Sequence, residues 1–121
     1  PEQYRNMHVL VVGGGDSAVE AALSLSDAPG TTVTISYRKS VFSRLKDKNR
    51  HRLAEAERLG RIQTRLQSEV KSIEPTHVLL WQNEQRLTLP NDFVFIFAGG
   101  EPPTAFLNQS GIRVETKFGT R

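Results

Sequence analysis

Four apolar residues, Val9, Leu10, Val11 and Val12, run directly into Gly13-Gly14-Gly15-Asp16-Ser17-Ala18. An apolar run this short, closed by glycine, reads as a buried strand. Behind the glycines, Ala18, Ala21, Ala22 and Leu25 recur at helical spacing. This order of strand, glycine turn and helix leaves the chain little choice of fold. It is also the context in which G-x-G-x-x-A, here Gly13, Gly15 and Ala18, becomes a specific signal.

Each small residue has a physical reason. Gly13 can take turn angles that a side chain forbids. Gly15 lacks a Cβ, so a phosphate can approach the backbone, and Ala18 is small enough for tight helix–strand packing. The N–H groups of Asp16, Ser17 and Ala18 open the helix and carry partial positive charge toward an anion. The expectation is a turn that holds the pyrophosphate of a dinucleotide. The Asp16 side chain has two readings: a helix cap, or a neighbour of the ribose or pyrophosphate that acts through its N–H. The motif alone leaves FAD, NAD, NADP and S-adenosylmethionine open.

The rest of the chain continues the pattern. Strands are predicted over 8–12, 32–37 and 62–66, with helices over 16–26 and 47–59. Residues 8–37 then form a βαβ unit whose crossover should be right-handed. A basic loop spans 38–44. Short strands over 70–73, 78–82 and 86–89, divided by Glu74-Pro75-Thr76 and Asn83-Glu84, predict an antiparallel meander that ends at Pro90-Asn91-Asp92. Phe93-Val94-Phe95-Ile96-Phe97 suits the middle of a parallel sheet, buried on both faces. Ala98 and Gly99 follow at its carboxyl end, where ligands of open α/β sheets sit, and should adjoin the Gly13–Gly15 turn. The predicted class is α/β: a Rossmann-type three-layer sandwich with a central parallel sheet, helices on its faces and the meander inserted before the last parallel strand. Residues 1–121 are read as one domain, excised from a larger protein because the chain starts at Pro1 rather than Met.

Which nucleotide binds is decided at the end of the 32–37 strand. NAD sites place an acid there for the ribose 2′-OH. No acid occurs between Gly30 and Lys46, and the residues are Tyr37-Arg38-Lys39 with Arg44 shortly after. Guanidinium and ammonium donors suit a 2′-phosphate, so NADPH fits better than NADH. An adenine stacked on Arg38 or lying beside Tyr37 is compatible with these residue types. The missing acid also counts against an S-adenosylmethionine enzyme. Lys46, Lys48, Arg50 and Arg52 start the second helix, where positive charge is locally unfavourable, and are read as a solvated face.

Other chemistries find little support. The chain has no cysteine, which removes disulfides, thiolate metal sites and a redox-active Cys pair from it. His8, His51 and His77 lack metal-ligand spacing, and no Ser-His-Asp or paired-carboxylate arrangement is present, so no catalytic residue is assigned. Hydrophobic residues at 37% and charged residues at 24% describe a globular chain. No apolar run approaches the roughly 18 residues of a membrane span. The polar start has no apolar signal segment, and a cytoplasmic location is expected. One Trp and two Tyr give no aromatic ladder for nucleic acid.

Three segments together resemble a known family: Gly13-Gly14-Gly15-Asp16-Ser17-Ala18-Val19-Glu20, then Tyr37-Arg38-Lys39 with Arg44, then 92–100 ending in Ala98-Gly99-Gly100. They look like the NAD(P)H-binding domain of FAD-dependent pyridine nucleotide-disulfide oxidoreductases, in the thioredoxin-reductase-like branch. The resemblance covers about residues 7–112. It implies a domain inserted between two halves of an FAD-binding domain of the same parent chain, to whose flavin bound NADPH delivers hydride. It places Glu20 on the side facing the nicotinamide, the 2′-phosphate cluster on Arg38, Lys39 and Arg44, and the alanine-glycine turn on Ala98 and Gly99. Thr104-Ala105-Phe106-Leu107 and Gly111-Ile112 resemble the return into the FAD domain. The absence of cysteine departs from small bacterial thioredoxin reductases, which carry Cys-x-x-Cys here, and Tyr-Arg-Lys stands where the family often has His-Arg-Arg. FAD is expected in the parent and not on this chain, which is expected to be inactive alone. A homodimeric parent is left open. Two rivals remain: a non-catalytic nucleotide-sensing module, and an S-adenosylmethionine-dependent methyltransferase.

Overall fold

The first strand, β1 (His8–Val12), sends Val9 and Val11 to one side and Leu10 and Val12 to the other. This period of two sorts the whole sheet between two hydrophobic layers. The computed structural model describes residues 6–98, 102–109 and 112–115. Along the chain β1 is followed by α1 (Asp16–Leu25), β2 (Thr32–Tyr37), α2 (Asp47–Arg58) and β3 (Ile62–Leu66). Next come β4 (Ser68–Ile73), β5 (His77–Gln82) and β6 (Gln85–Pro90), then β7 (Phe93–Ile96), β8 (Thr104–Leu107) and β9 (Ile112–Glu115).

The central sheet runs β3-β2-β1-β7-β8-β9. β1, β2, β3 and β7 are mutually parallel, whereas β8 and β9 add antiparallel. The sheet is therefore mixed rather than purely parallel. The two added strands were expected only as a connection out of the domain: each is four residues long, too short for its alternation to stand out. β7 occupies an interior position as expected, between β1 and β8. Val94 and Phe95 are fully buried, one on each face.

Both helices lie on one face, which corrects the expectation of helices on both. Val9, Val11, Val33, Ile35 and Phe95 pack there with Ala18, Val19 and Ala22 of α1 and Leu53 and Ala56 of α2. The crossovers from β1 to β2 and from β2 to β3 step in the same direction across the sheet. Two crossovers of the same hand that step the same way put their helices on the same side. The opposite face, through Leu10 and Val94, is covered by Val78 and Leu80 of the meander. The meander forms its own sheet in the order β4-β5-β6. The three layers are thus helices, mixed sheet and antiparallel sheet.

Local chemistry fixes the joints. Gln67, at φ 55, turns the chain from β3 into β4. Asn83 and Glu84, at φ 51 and 64, close the two-residue hairpin between Gln82 and Gln85, the twist-matched turn for such a loop. The return to the sheet is pinned at Asp92, whose carboxylate accepts the His8 N–H at 2.8 Å while its own N–H donates to the His8 carbonyl at 2.8 Å.

Candidate functional site

The three glycines after β1 have three different jobs. Gly13 has φ +142, and a Cβ on it would lie 3.1 Å from the Phe97 Cβ and 3.2 Å from the Ala18 Cβ. Its N–H donates to the Ser36 carbonyl at 3.0 Å, which ties the turn to the end of β2. Gly14, which the sequence reading passed over, faces the Tyr37 ring so closely that a Cβ would fall into it. Gly15 differs from both. Its backbone is extended, at φ −90 and ψ −180, a conformation open to any residue, and a Cβ there would meet nothing within 4 Å. Packing does not require glycine at position 15; the vacant space in front of it belongs to a cleft.

The cleft has a volume of about 1100 Å³. It opens at the carboxyl ends of β1, β2 and β7, where α/β sheets place ligands. Gly13, Gly15, Asp16, Ser17 and Ala18 form one wall. Tyr37 and Arg38 enter from the end of β2, Ser68 and Glu69 from the start of β4, and Ala98 from beyond β7. Phe97 donates its N–H to the Val12 carbonyl at 2.9 Å, which sets this last segment beside the glycine turn as expected. Gly99 lies outside the described residues.

The opening of α1 faces this space without a cap. Gly15 is the N-cap residue and no side chain bonds the helix end. The first helical bond runs from the Val19 N–H to the Gly15 carbonyl at 3.1 Å. The N–H groups of Asp16, Ser17 and Ala18 come before it and have no partner within the helix. A diphosphate fits this cradle on two independent grounds: unpaired donors at a helix start, and a glycine whose missing Cβ leaves room.

Other predicted residues take different places. The Tyr37 ring lines the cleft but stacks on Phe42, with centroids 5.3 Å apart and planes 2° from parallel. With Gly14 against it as well, the ring props up the turn and is not an open platform for adenine. Arg38 is exposed and reaches the cleft wall, whereas Lys39 and Arg44 are exposed on the same loop and do not line it. Asp16 does not cap α1. Its Oδ1 accepts the Lys46 N–H at 3.0 Å and an Asn49 Nδ2 hydrogen at 2.8 Å, so it serves the start of α2, where Lys46 is the N-cap residue. The Asn49 amide, and after it the Lys46 N–H, hold the Asp16 carboxyl below the usual carboxylate range. Glu20, expected on the nicotinamide side, is not part of the cleft wall. Its Oε2 accepts from Asn49 Nδ2 at 2.8 Å, because a residue four past Asp16 shares its helix face.

Two buried serines escaped the sequence reading. Ser68 donates to the Arg65 carbonyl at 2.8 Å, so in the 2.6 Å contact of Ser36 and Ser68 hydroxyls Ser36 is the donor. Ser36 thereby offers lone pairs, and no proton, at the cleft wall. The only signal was the alternation of β2, which sets Thr34 and Ser36 opposite Val33 and Ile35. Among the described residues, no group of His, Asp and Glu is placed to hold a metal ion, and no helix is long and apolar enough to cross a membrane.

Comparison with known proteins meets this geometry. A match to the family described as pyridine nucleotide-disulphide oxidoreductase extends over residues 1–119. The chain belongs to that family. It is 32% identical over 118 residues to bacilliredoxin reductase Bdr of Bacillus subtilis, covering 96% of this chain and 36% of that protein. It is also 32% identical over 103 residues to ferredoxin–NADP reductase of Thermus thermophilus, covering 80% of this chain and 30% of that one. Among solved structures, the bacillithiol disulfide reductase Bdr of Bacillus cereus superposes with a TM-score of 0.78 at 32% identity, over 84% of this chain and 31% of that one. Thioredoxin reductase of Streptococcus pyogenes gives 0.69 at 28% identity, over 81% and 33%. The chain therefore spans about a third of the length of these oxidoreductase-family relatives.

Proposed function

We propose that this chain is the NAD(P)H-binding domain of an FAD-dependent pyridine nucleotide oxidoreductase, and that it takes NADPH in preference to NADH. The observation that carries the reading is Gly15. Neither its backbone angles nor its surroundings call for glycine, whereas a phosphate against the uncapped start of α1 does. The N–H groups of Asp16, Ser17 and Ala18 hold the pyrophosphate. Arg38 meets the 2′-phosphate from the end of β2, with Lys39 and Arg44 adding positive field from the same loop. Bound NADPH supplies a hydride to a flavin held by the FAD-binding domain of the parent. The residues of this chain bind and orient; none of them moves a proton. Membership of the family and the name of the Thermus relative, a ferredoxin–NADP reductase, support this assignment.

The test is calorimetric titration of this chain and its Arg38→Ala variant with NADPH and with NADH. Loss of a charge-assisted phosphate contact weakens NADPH about ten- to a hundredfold and leaves NADH nearly unchanged. Equal losses for the two nucleotides defeat the 2′-phosphate assignment, and an absence of binding by the unaltered chain defeats the whole reading.

A further inference from the structure

Asn49 is fully buried in the first turn of α2, and both hydrogens of its amide are committed to α1. One goes to Asp16 Oδ1 and the other to Glu20 Oε2, each at 2.8 Å. Its own Oδ1 is buried without a partner. Burying an amide with an unmet acceptor is unfavourable, and a leucine of similar volume would avoid that penalty. The donors are therefore the feature of this residue that the arrangement uses.

What they join is specific. Asp16 directly follows Gly15 and sits in the wall of the cleft. Its Oδ1 also accepts the Lys46 N–H at 3.0 Å, and Lys46 closes the loop that starts at Arg38. That loop, 38–46, has neither helix nor strand. Its start is held at the end of β2: the Gly13 N–H on the Ser36 carbonyl and the Gln67 N–H on the Lys39 carbonyl, at 3.0 and 3.1 Å, fix the chain on either side of Arg38. In its middle Phe42 stacks on Tyr37, and the Arg50 guanidinium donates to the Phe42 and Leu45 carbonyls at 3.1 and 3.5 Å. At its end Asp16 takes the Lys46 N–H, and Asn49 fixes Asp16. The end of the loop that carries Arg44 is thus referenced to the glycine turn through Asp16 and the amide that holds it.

We propose that Asn49 is a positioning residue for nucleotide selection: by clasping Asp16 and Glu20 it sets the distance between the Arg44 end of the basic loop and the pyrophosphate cradle. The inference rests on the NADPH reading above. Asn49 itself is not in the cleft wall, so its effect passes through the loop. Selection for the 2′-phosphate depends on that distance, whereas pyrophosphate binding at the start of α1 does not. Loss of the clasp therefore lowers NADPH affinity and spares NADH.

The experiment is titration of the unaltered chain, Asn49→Leu, Glu20→Ala and the double variant with NADPH and NADH, with thermal unfolding recorded for each. Asn49→Leu keeps volume and removes the donors. The expected result is a fall of about two- to fivefold in the NADPH:NADH affinity ratio for either single variant, and no further fall in the double variant, as for two parts of one unit. Glu20→Ala, at an exposed helix position outside the cleft wall, also guards against misfolding of Asn49→Leu. Deleting a carboxylate favours the more anionic nucleotide on charge alone, so a loss of NADPH preference in Glu20→Ala has the opposite sign to a bare charge effect. A retained ratio, equal weakening of both nucleotides, or additive losses in the double variant overturns the proposal while the NADPH reading stands. An unaltered chain with no NADPH preference overturns both.

Discussion

At the scale of single residues, Gly14 and Gly15 are neighbours with opposite requirements. A Cβ on Gly14 drives into the Tyr37 ring, which must then shift and give up its stacking on Phe42. Gly14→Ala is expected to destabilise the fold by about 1–3 kcal/mol, the usual range for overpacking, read as a lower midpoint in urea unfolding. A Cβ on Gly15 enters open space, so Gly15→Val keeps the midpoint close to that of the unaltered chain while nucleotide binding in titration calorimetry disappears. If Gly15→Val unfolds the chain, or binds nucleotide normally, the division of labour between the two glycines is wrong. The motif G-x-G-x-x-A does not mention Gly14, which is required only because of the aromatic residue that β2 brings underneath.

Between elements, the polar clasp of α1 and α2 gives a pH signature. Asp16 has its carboxyl held below the ordinary range by the Asn49 amide and the Lys46 N–H. A carboxyl that is more acidic in the folded state adds stability above its unfolded pKa, and that stability is lost as the pH falls through the lower folded value. The unaltered chain should therefore exceed Asp16→Asn in melting temperature at neutral pH. The difference should shrink once the pH drops below about 4, where the unfolded-state carboxyl takes up its proton. A difference that persists unchanged into strong acid shows that the Asp16 charge is not the source. The ion pair of Glu55 and Arg58 on α2, with both side chains more than half exposed, belongs to a class that contributes little and should leave no comparable trace.

In the molecule as a whole, the meander is the third layer and not an appendage. Val78 and Leu80 of β5 are fully buried against Leu10 of β1 and Val94 of β7, and those two strands carry the glycine turn and the Ala98 segment at their ends. Leu80→Ala is expected to cost about 2–5 kcal/mol, the range for deleting a buried leucine side chain. It should lower a single denaturation transition followed by the Trp81 fluorescence and by the far-ultraviolet circular dichroism of α1 and α2. Two separated transitions would show that the meander melts independently of the sheet that holds the cleft.

Local pattern was enough to read β1, β2 and β3 to the residue, both helices to within a residue, and the meander as three strands. The apolar periods of 2 and 3.6 and the glycine and proline stops in these segments are contained within a few neighbours. The same holds for Gly13 and Ala18, whose small size answers to a contact that the motif encodes. Other features depend on what lies across the sheet from a given residue, and no neighbour in the chain reports that. Tertiary structure alone put both helices on one face, added β8 and β9 to the edge, turned Tyr37 against Gly14, and carried the carboxylates of Asp16 and Glu20 to Asn49, about thirty residues on. Hydrogen bonds and ring contacts between distant segments are set by packing, so a reading along the chain finds the cradle but not the clasp behind it.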